Sequence, residues 1–157
     1  MRKRQWQCGL RAAALAATVS AALGLAGCST ELGPSPAELK SRWEAQNVFP
    51  EGYRRDLLAF MHTYLNDPRQ VRGAAVSPPV RKDVGPGERY VVCVRYNARN
   101  TDGKYTGSKD GAAIYVSGKL DRFIEATKEL NEGAAFARRL CQDAAYAPFP
   151  ELEKMTR

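Results

Sequence analysis

The sequence predicts an α+β domain in which N-terminal helices pack on one face of a small antiparallel sheet of about four strands and a C-terminal helix closes the fold. Three observations predict it. Apolar residues recur at helical spacing between Tyr53 and Leu65, the period then falls to two between Gln70 and Tyr96, and a helical stripe returns after Gly133. Residues 36–157 contain no internal repeat and no linker, so they are expected to form one domain.

Residues 1–27 stand apart from that domain. Arg2, Lys3, Arg4 and Arg11 precede an apolar run of 15 residues, Ala12 to Ala26. The run is too short to span a bilayer, which takes ~20 apolar residues, and it ends in small residues, the layout of a secretory signal peptide. Its end, Leu25-Ala26-Gly27-Cys28, resembles the lipobox of bacterial lipoproteins. The resemblance implies that Cys28 becomes the first mature residue and carries acyl chains on its sulfur. The thiolate is the side-chain nucleophile suited to such a thioether. It implies membrane lipid as a partner, and Ser29, where an aspartate favours inner-membrane retention, points to the outer membrane with the domain facing the periplasm. Residues 28–35 then form a lipidated tether.

Removing residues 1–27 also changes the charge. The chain carries 24 Lys and Arg against 17 Asp and Glu, and the four basic residues of the signal leave 20 against 17, a net of +3. Arg54/Arg55, Arg81/Lys82 and Arg138/Arg139 are scattered doublets among acids, not the clustered face that nucleic acid requires, so no nucleic-acid partner is expected.

In chain order, Ser35-Pro36-Ala37-Glu38 starts a first helix, with Ser35 as N-cap, Pro36 at the first helical position and Glu38 closing a capping box. Leu39 and Trp43, four apart, give that helix one buried stripe. Tyr53, Leu57, Phe60, Met61 and Tyr64 mark a second helix from about Pro50 to Asn66, widened by Leu58 and Leu65 and stopped by Pro68. Gln70 to Ser77 reads as a strand closed by Pro78 and Pro79, and Val84 to Gly87 as a turn. In the next strand Tyr90, Val92, Val94 and Tyr96 point to one face and Arg89, Val91, Cys93 and Arg95 to the other. Gly111 to Ala126 reads as two strands joined at Ser117-Gly118-Lys119, although Leu120, Phe123, Ile124 and Leu130 also suit a helix, leaving residues 119–131 ambiguous. The last helix presents Ala135, Phe136, Leu140 and Ala144 along one face, and Pro148 and Pro150 make the tail extended.

Two cysteines remain for the domain, because Cys8 leaves with the predicted signal and the lipobox resemblance implies that Cys28 is acylated. In an oxidising envelope a pair such as Cys93 and Cys141 forms a bridge. The rival reading, a catalytic cysteine, needs the sole histidine, His62, beside it, and nothing in the spacing favours this. There is no H-E-x-x-H, C-x-x-C, G-x-S-x-G or phosphate-cradling glycine loop, so no metal, cofactor or catalytic residue is predicted. Glu51 and Asp56 read as surface charge.

The stretch from Tyr96 to Gly111 is rich in Asn, Asp and Gly and reads as a long hairpin loop. Asn97, Asn100, Asp102 and Tyr105 are its candidate ligand residues, beside the simpler reading that turn chemistry sets strand register. Residues 64 to 116 resemble a family of small exported bacterial proteins in which a helix ending in D-P leads to a cysteine-bearing strand, then N-A-[RK]-N and Y-T-G. The chain departs from that pattern at Cys93-Val94, where Cys-Gly is usual. The resemblance implies fold and compartment, and no mechanism. The expected function is a non-catalytic, membrane-anchored binding or envelope-structural module whose partner is an envelope protein or peptidoglycan. The alternatives are a cell-wall-acting enzyme, which needs two carboxylates in one pocket, and an inhibitor of an envelope hydrolase, which needs a loop standing free.

Overall fold

The computed structural model describes residues 33–127 and 131–156. The predicted signal, the lipobox and Cys28 lie outside the described residues. The described elements run α1 (Pro36–Ala45), α2 (Tyr53–Tyr64), β1 (Asp67–Val76), β2 (Val80–Asp83), β3 (Glu88–Arg99), β4 (Lys109–Val116), β5 (Lys119–Ala126), α3 (Glu132–Cys141), β6 (Ala147–Pro148) and α4 (Pro150–Glu153). The strands form one antiparallel sheet in the order β5-β4-β3-β1-β6, with β2 paired to the first half of β3 and β1 to its second half.

The alternation of β3 organises this sheet, and both of its parities are apolar in the middle. Val92, Val94 and Tyr96 join Val71, Ala74, Val76, Ala113 and Tyr115 beneath Leu57 and Met61 of α2 and Phe149 and Leu152 at the C-terminus. Val91 and Cys93 join Ala112 and Ile114 beneath Ala137, Leu140 and Cys141 of α3. Each fully buried large aliphatic side chain stabilises the fold by roughly 1.5–3 kcal/mol, so neither face can be left to water. The α+β class and the antiparallel sheet are as expected from the sequence, but the sheet has six strands rather than about four and helices cover both faces rather than one.

The capping box at Ser35 and Glu38 forms as predicted, with each side chain bonded to the other's backbone N–H. The predicted stripe of α1 does not: Leu39 is 50% exposed, and only Trp43 is engaged. Its indole Nε1 donates to the Glu88 carbonyl at 2.8 Å, and its ring lies 3.5 Å from the guanidinium carbon of Arg89, which is buried. Helix α1 is thus held on the β2–β3 hairpin by Trp43 and by Glu44, which accepts from Arg81 at 2.7 Å, rather than by an apolar face.

Residues 119–126 are strand. Ser117 and Gly118 both have left-handed backbone (φ 51° and 73°), the conformation of a two-residue hairpin turn whose twist matches its flanking strands. With that turn fixed, Phe123 faces the α2 core and Ile124 the α3 core, so the helical spacing of these apolar residues is coincidental. On α3 the buried positions are Ala134, Ala137, Leu140 and Cys141; of the expected stripe Leu140 is buried, Phe136 and Ala144 pack against the same cluster, and Ala135 does not. Cys141 is disulfide-bonded to Cys93, with the Cα atoms 5.6 Å apart, and this sets the rotation of the helix on the sheet.

The tail is not simply extended. Ala147 and Pro148 pair with Val76 and Ala75 of β1, and Pro150 starts the short helix α4, a position where its missing N–H is not needed. Phe149 and Leu152 are fully buried, and Glu153 accepts from the Ala74 N–H at 2.9 Å. The prolines interrupt one element and start the next, leaving the residues between them in the core.

Candidate functional site

At one end of the sheet the ladder is irregular. Between Asp67 and Arg72 strand β1 advances five residues while β3 advances only two, from Arg99 to Asn97, so β1 bulges there. Gln70, inside the bulge, has φ 58°, a left-handed backbone that a non-glycine residue holds only when its surroundings fix it. Tyr105 fixes it from the β3–β4 loop: its hydroxyl donates to the Gln70 carbonyl at 2.7 Å. Arg99 donates to the Gln70 side-chain oxygen, and Arg72 lies 4.0 Å from the centre of the Tyr105 ring.

Bulge and loop enclose two neighbouring cavities that share Asn66 and Asn100 in their walls. The first, of about 250 Å3, is bounded by Tyr64, Tyr96, Arg99, Thr106, Lys109 and Glu125 as well. The second, of about 290 Å3, adds Asp67, Arg69, Thr101 and Gly103. Each lies just below the lower end of the ~300–1,000 Å3 typical of ligand pockets.

Glu125 is the hub of the first cavity. Its Oε2 accepts from the Tyr64 hydroxyl at 2.9 Å and the Tyr96 hydroxyl at 2.8 Å, and its Oε1 accepts from Lys109 Nζ at 2.9 Å. Burial alone would raise its pKa, but the hydrogen bonds from Lys109, Tyr96 and Tyr64 outweigh it and hold the carboxyl below the ordinary carboxylate value. Burial, with the bond to Glu125, pushes the Tyr64 phenol up to about 12 and the Tyr96 phenol higher still. At neutral pH the network is therefore an ionised carboxylate that accepts from two neutral phenols and from Lys109 Nζ. It can accept and donate hydrogen bonds and balance charge, but a carboxyl held ionised cannot protonate a leaving group.

The wall behind Tyr64 is rigid for a reason visible in β4. A Cβ on Gly111 would meet the Phe123 ring at 2.2 Å, so only glycine lets that ring lie against the sheet. Phe123 in turn packs 5.0 Å from both Phe60 and Tyr64, which stack on each other at 5.1 Å.

The four loop residues singled out in the sequence do not converge. Asn100 lines both cavities, and its Oδ1 accepts from the N–H groups of Asp102 and Lys104 at 3.1 and 2.9 Å, so it also closes the turn. Tyr105 pins β1, as described. Asp102 is exposed outside the walls, and Asn97 lies back within β3, opposite Arg72. His62 is exposed on α2, and the bridged Cys93 and Cys141 leave no free thiol among the described residues. Pattern reading missed Glu125, Lys109 and Arg99, and it placed Tyr64 and Tyr96 in the core. The available signal was Glu125 itself, a carboxylate with the same strand parity as core-facing Phe123.

Among the described residues no helix is long and apolar enough to cross a membrane, and no three His, Cys, Asp or Glu side chains are grouped to hold a metal ion. Compared with protein-family models, with curated proteins and with solved structures, the chain matches none.

Proposed function

We propose that this protein is a lipid-anchored, non-catalytic module of the bacterial envelope, tethered through acylated Cys28 to the outer membrane and facing the periplasm, that holds a polar ligand at the irregular end of its sheet. The observation that carries this reading is the buried Cys93–Cys141 bridge. Such a bond persists in oxidising compartments and is rare where thiols are kept reduced, which agrees with a chain whose first 27 residues have the pattern of an export signal. Anchoring through several acyl chains is stable where one chain gives only marginal affinity.

The cleft supports binding in preference to the alternatives. The loop from Asn100 to Ser108 is tied back to β1 by Tyr105 and forms a cavity wall, unlike an inhibitory loop standing free. The two carboxylates of the paired cavities are already engaged: Glu125 accepts through both oxygens, and Asp67 accepts from Arg69 at 2.9 Å.

The test is Cys28→Ser, followed by labelling with radioactive palmitate and membrane fractionation. The expected result is an unprocessed, unlabelled precursor in place of a labelled outer-membrane protein. Normal processing and fractionation of the variant would exclude the lipid anchor.

A further inference from the structure

Resting on the reading of this cleft as the binding site, we infer that its ligand is a sugar bearing a carboxylate. Four features of the walls converge on that chemistry.

The first is an aromatic platform. Tyr64 is 41% exposed and lines the first cavity, while Phe60 and Phe123 hold its ring in place. A partly exposed aromatic ring braced by Phe60 and Phe123 suits the flat C–H face of a pyranose, since part of the ordering cost has been met in the folded protein. The second is the set of neutral polar groups. Asn66 and Thr106 each offer both donor and acceptor capacity, and Asn100, whose Oδ1 is taken up by two backbone N–H groups, adds an amide N–H donor, which matches hydroxyl and acetamido groups that both donate and accept.

The third is charge. Across the two cavities Arg69, Arg99 and Lys109 face Asp67 and Glu125, three cations to two carboxylates. That balance is one net positive charge, right for a monoanion and low for a phosphate dianion or a polyanion. The fourth is unspent donor capacity. Lys109 uses one of its three N–H donors on Glu125. Arg99 reaches Asp67 only at 3.8 Å and Gln70 through a single nitrogen, so its guanidinium still has N–H groups for a carboxylate.

Three of these groups are braced by the fold itself. The Tyr105 hydroxyl and the Arg99–Gln70 contact hold the bulge, and Asn100 closes its own loop. The cleft is preorganised, and the left-handed backbone of Gln70 marks where the fold gives up regular pairing to build it.

The test uses the full mature protein, lipidated and in detergent, with three probes followed by calorimetry and ligand-observed NMR. Two are acidic: the disaccharide of N-acetylglucosamine and N-acetylmuramic acid, a cell-wall unit, and N-acetylneuraminic acid, which is not one. The third, diacetylchitobiose, is a neutral disaccharide without the lactyl carboxylate. We expect one acidic probe to bind and the neutral one to bind about tenfold more weakly or not at all, the acidic probe that binds identifying the source of the sugar. Arg99→Gln should remove that preference. Tyr64→Ala should weaken both acidic and neutral sugars about tenfold, and Tyr64→Phe, which keeps the platform and the fold, should retain at least a third of the affinity. Equal binding of acidic and neutral probes overturns the carboxylate assignment, and binding untouched by Arg99→Gln and Tyr64→Ala overturns the site. Failure of all three probes overturns the inference. A photoreactive residue at position 106 then separates the two readings: a cross-link to another envelope component leaves the binding module standing, and no cross-link removes both.

Discussion

Burying a carboxylate beside two phenols makes sense only if the ionised form is compensated, and at Glu125 the compensation comes from three donors on three different elements: Tyr64 on α2, Tyr96 on β3 and Lys109 on β4. The folded-state pKa is depressed below the ordinary value of 4.5, so the stabilisation is fully present above that value and is lost as pH falls through the folded pKa. Glu125→Gln keeps a carbonyl acceptor but removes the charge that strengthens all three bonds, and should destabilise the domain by about 1–3 kcal/mol near neutral pH. Thermal melts of wild type and variant across the acid range check this. The gap between the two should begin to narrow as pH drops below about 4.5, where the unfolded chain takes up the proton, and should close below the folded pKa, where Glu125 is neutral in both states. A gap that stays constant down to strong acid would mean that Glu125 contributes through shape rather than charge.

Short elements escape a periodic reading, and the C-terminus shows why. A helical stripe needs some 11 to 18 residues to declare itself, whereas α4 spans four residues, and Phe149 and Leu152 supply a single apolar spacing between prolines. The two-residue strand β6 and the charged strand β2, Val80-Arg81-Lys82-Asp83, likewise owe their structure to pairing with β1 and β3 rather than to their own composition. The long elements were legible, α2 by its stripe and β3 by its alternation, whereas Ser117-Gly118 marked the β4–β5 turn but the helical spacing of Leu120, Phe123 and Ile124 left β5 ambiguous. For α4 the prediction follows from burial. Phe149 is fully enclosed between β1 and α2, with Arg54 4.7 Å from its ring centre, so Phe149→Ala should lower stability by about 3–5 kcal/mol in urea unfolding. Exposed Leu39 on α1 is the internal comparison, and Leu39→Ala should change it by no more than about 0.5 kcal/mol. A mild effect at Phe149 would mean that the tail is dispensable to the core.

At the scale of the whole molecule, what sequence pattern could not supply was convergence. Glu125 meets Lys109, Tyr96 and Tyr64 at separations of 16, 29 and 61 residues, and no local window contains that set. The pair Cys93 and Cys141, 48 residues apart, was legible because counting cysteines requires no geometry. That bridge lies within the smaller of two unequal faces of the sheet. The α2 face buries a large cluster that includes Tyr96, Tyr115, Phe149 and Leu152, whereas the α3 face is built mainly on alanines, Val91, Ile114, Leu140 and the two sulfurs. With so little apolar area beneath α3, covalent attachment has to carry more of its docking. Closing a loop of that length stabilises a fold by about 4 kcal/mol in the chain-entropy model. The double variant Cys93→Ala and Cys141→Ala should therefore lose about that much stability in denaturant unfolding. Hydrogen exchange resolves where the loss acts first: α3 amides should exchange markedly faster than in wild type while β3 amides opposite β1, sealed by the larger cluster, open only with global unfolding. Equal acceleration on both faces would show that the bridge acts on the unfolded chain alone, and protection of α3 as strong as in the oxidised protein would show that its alanine face suffices to hold it.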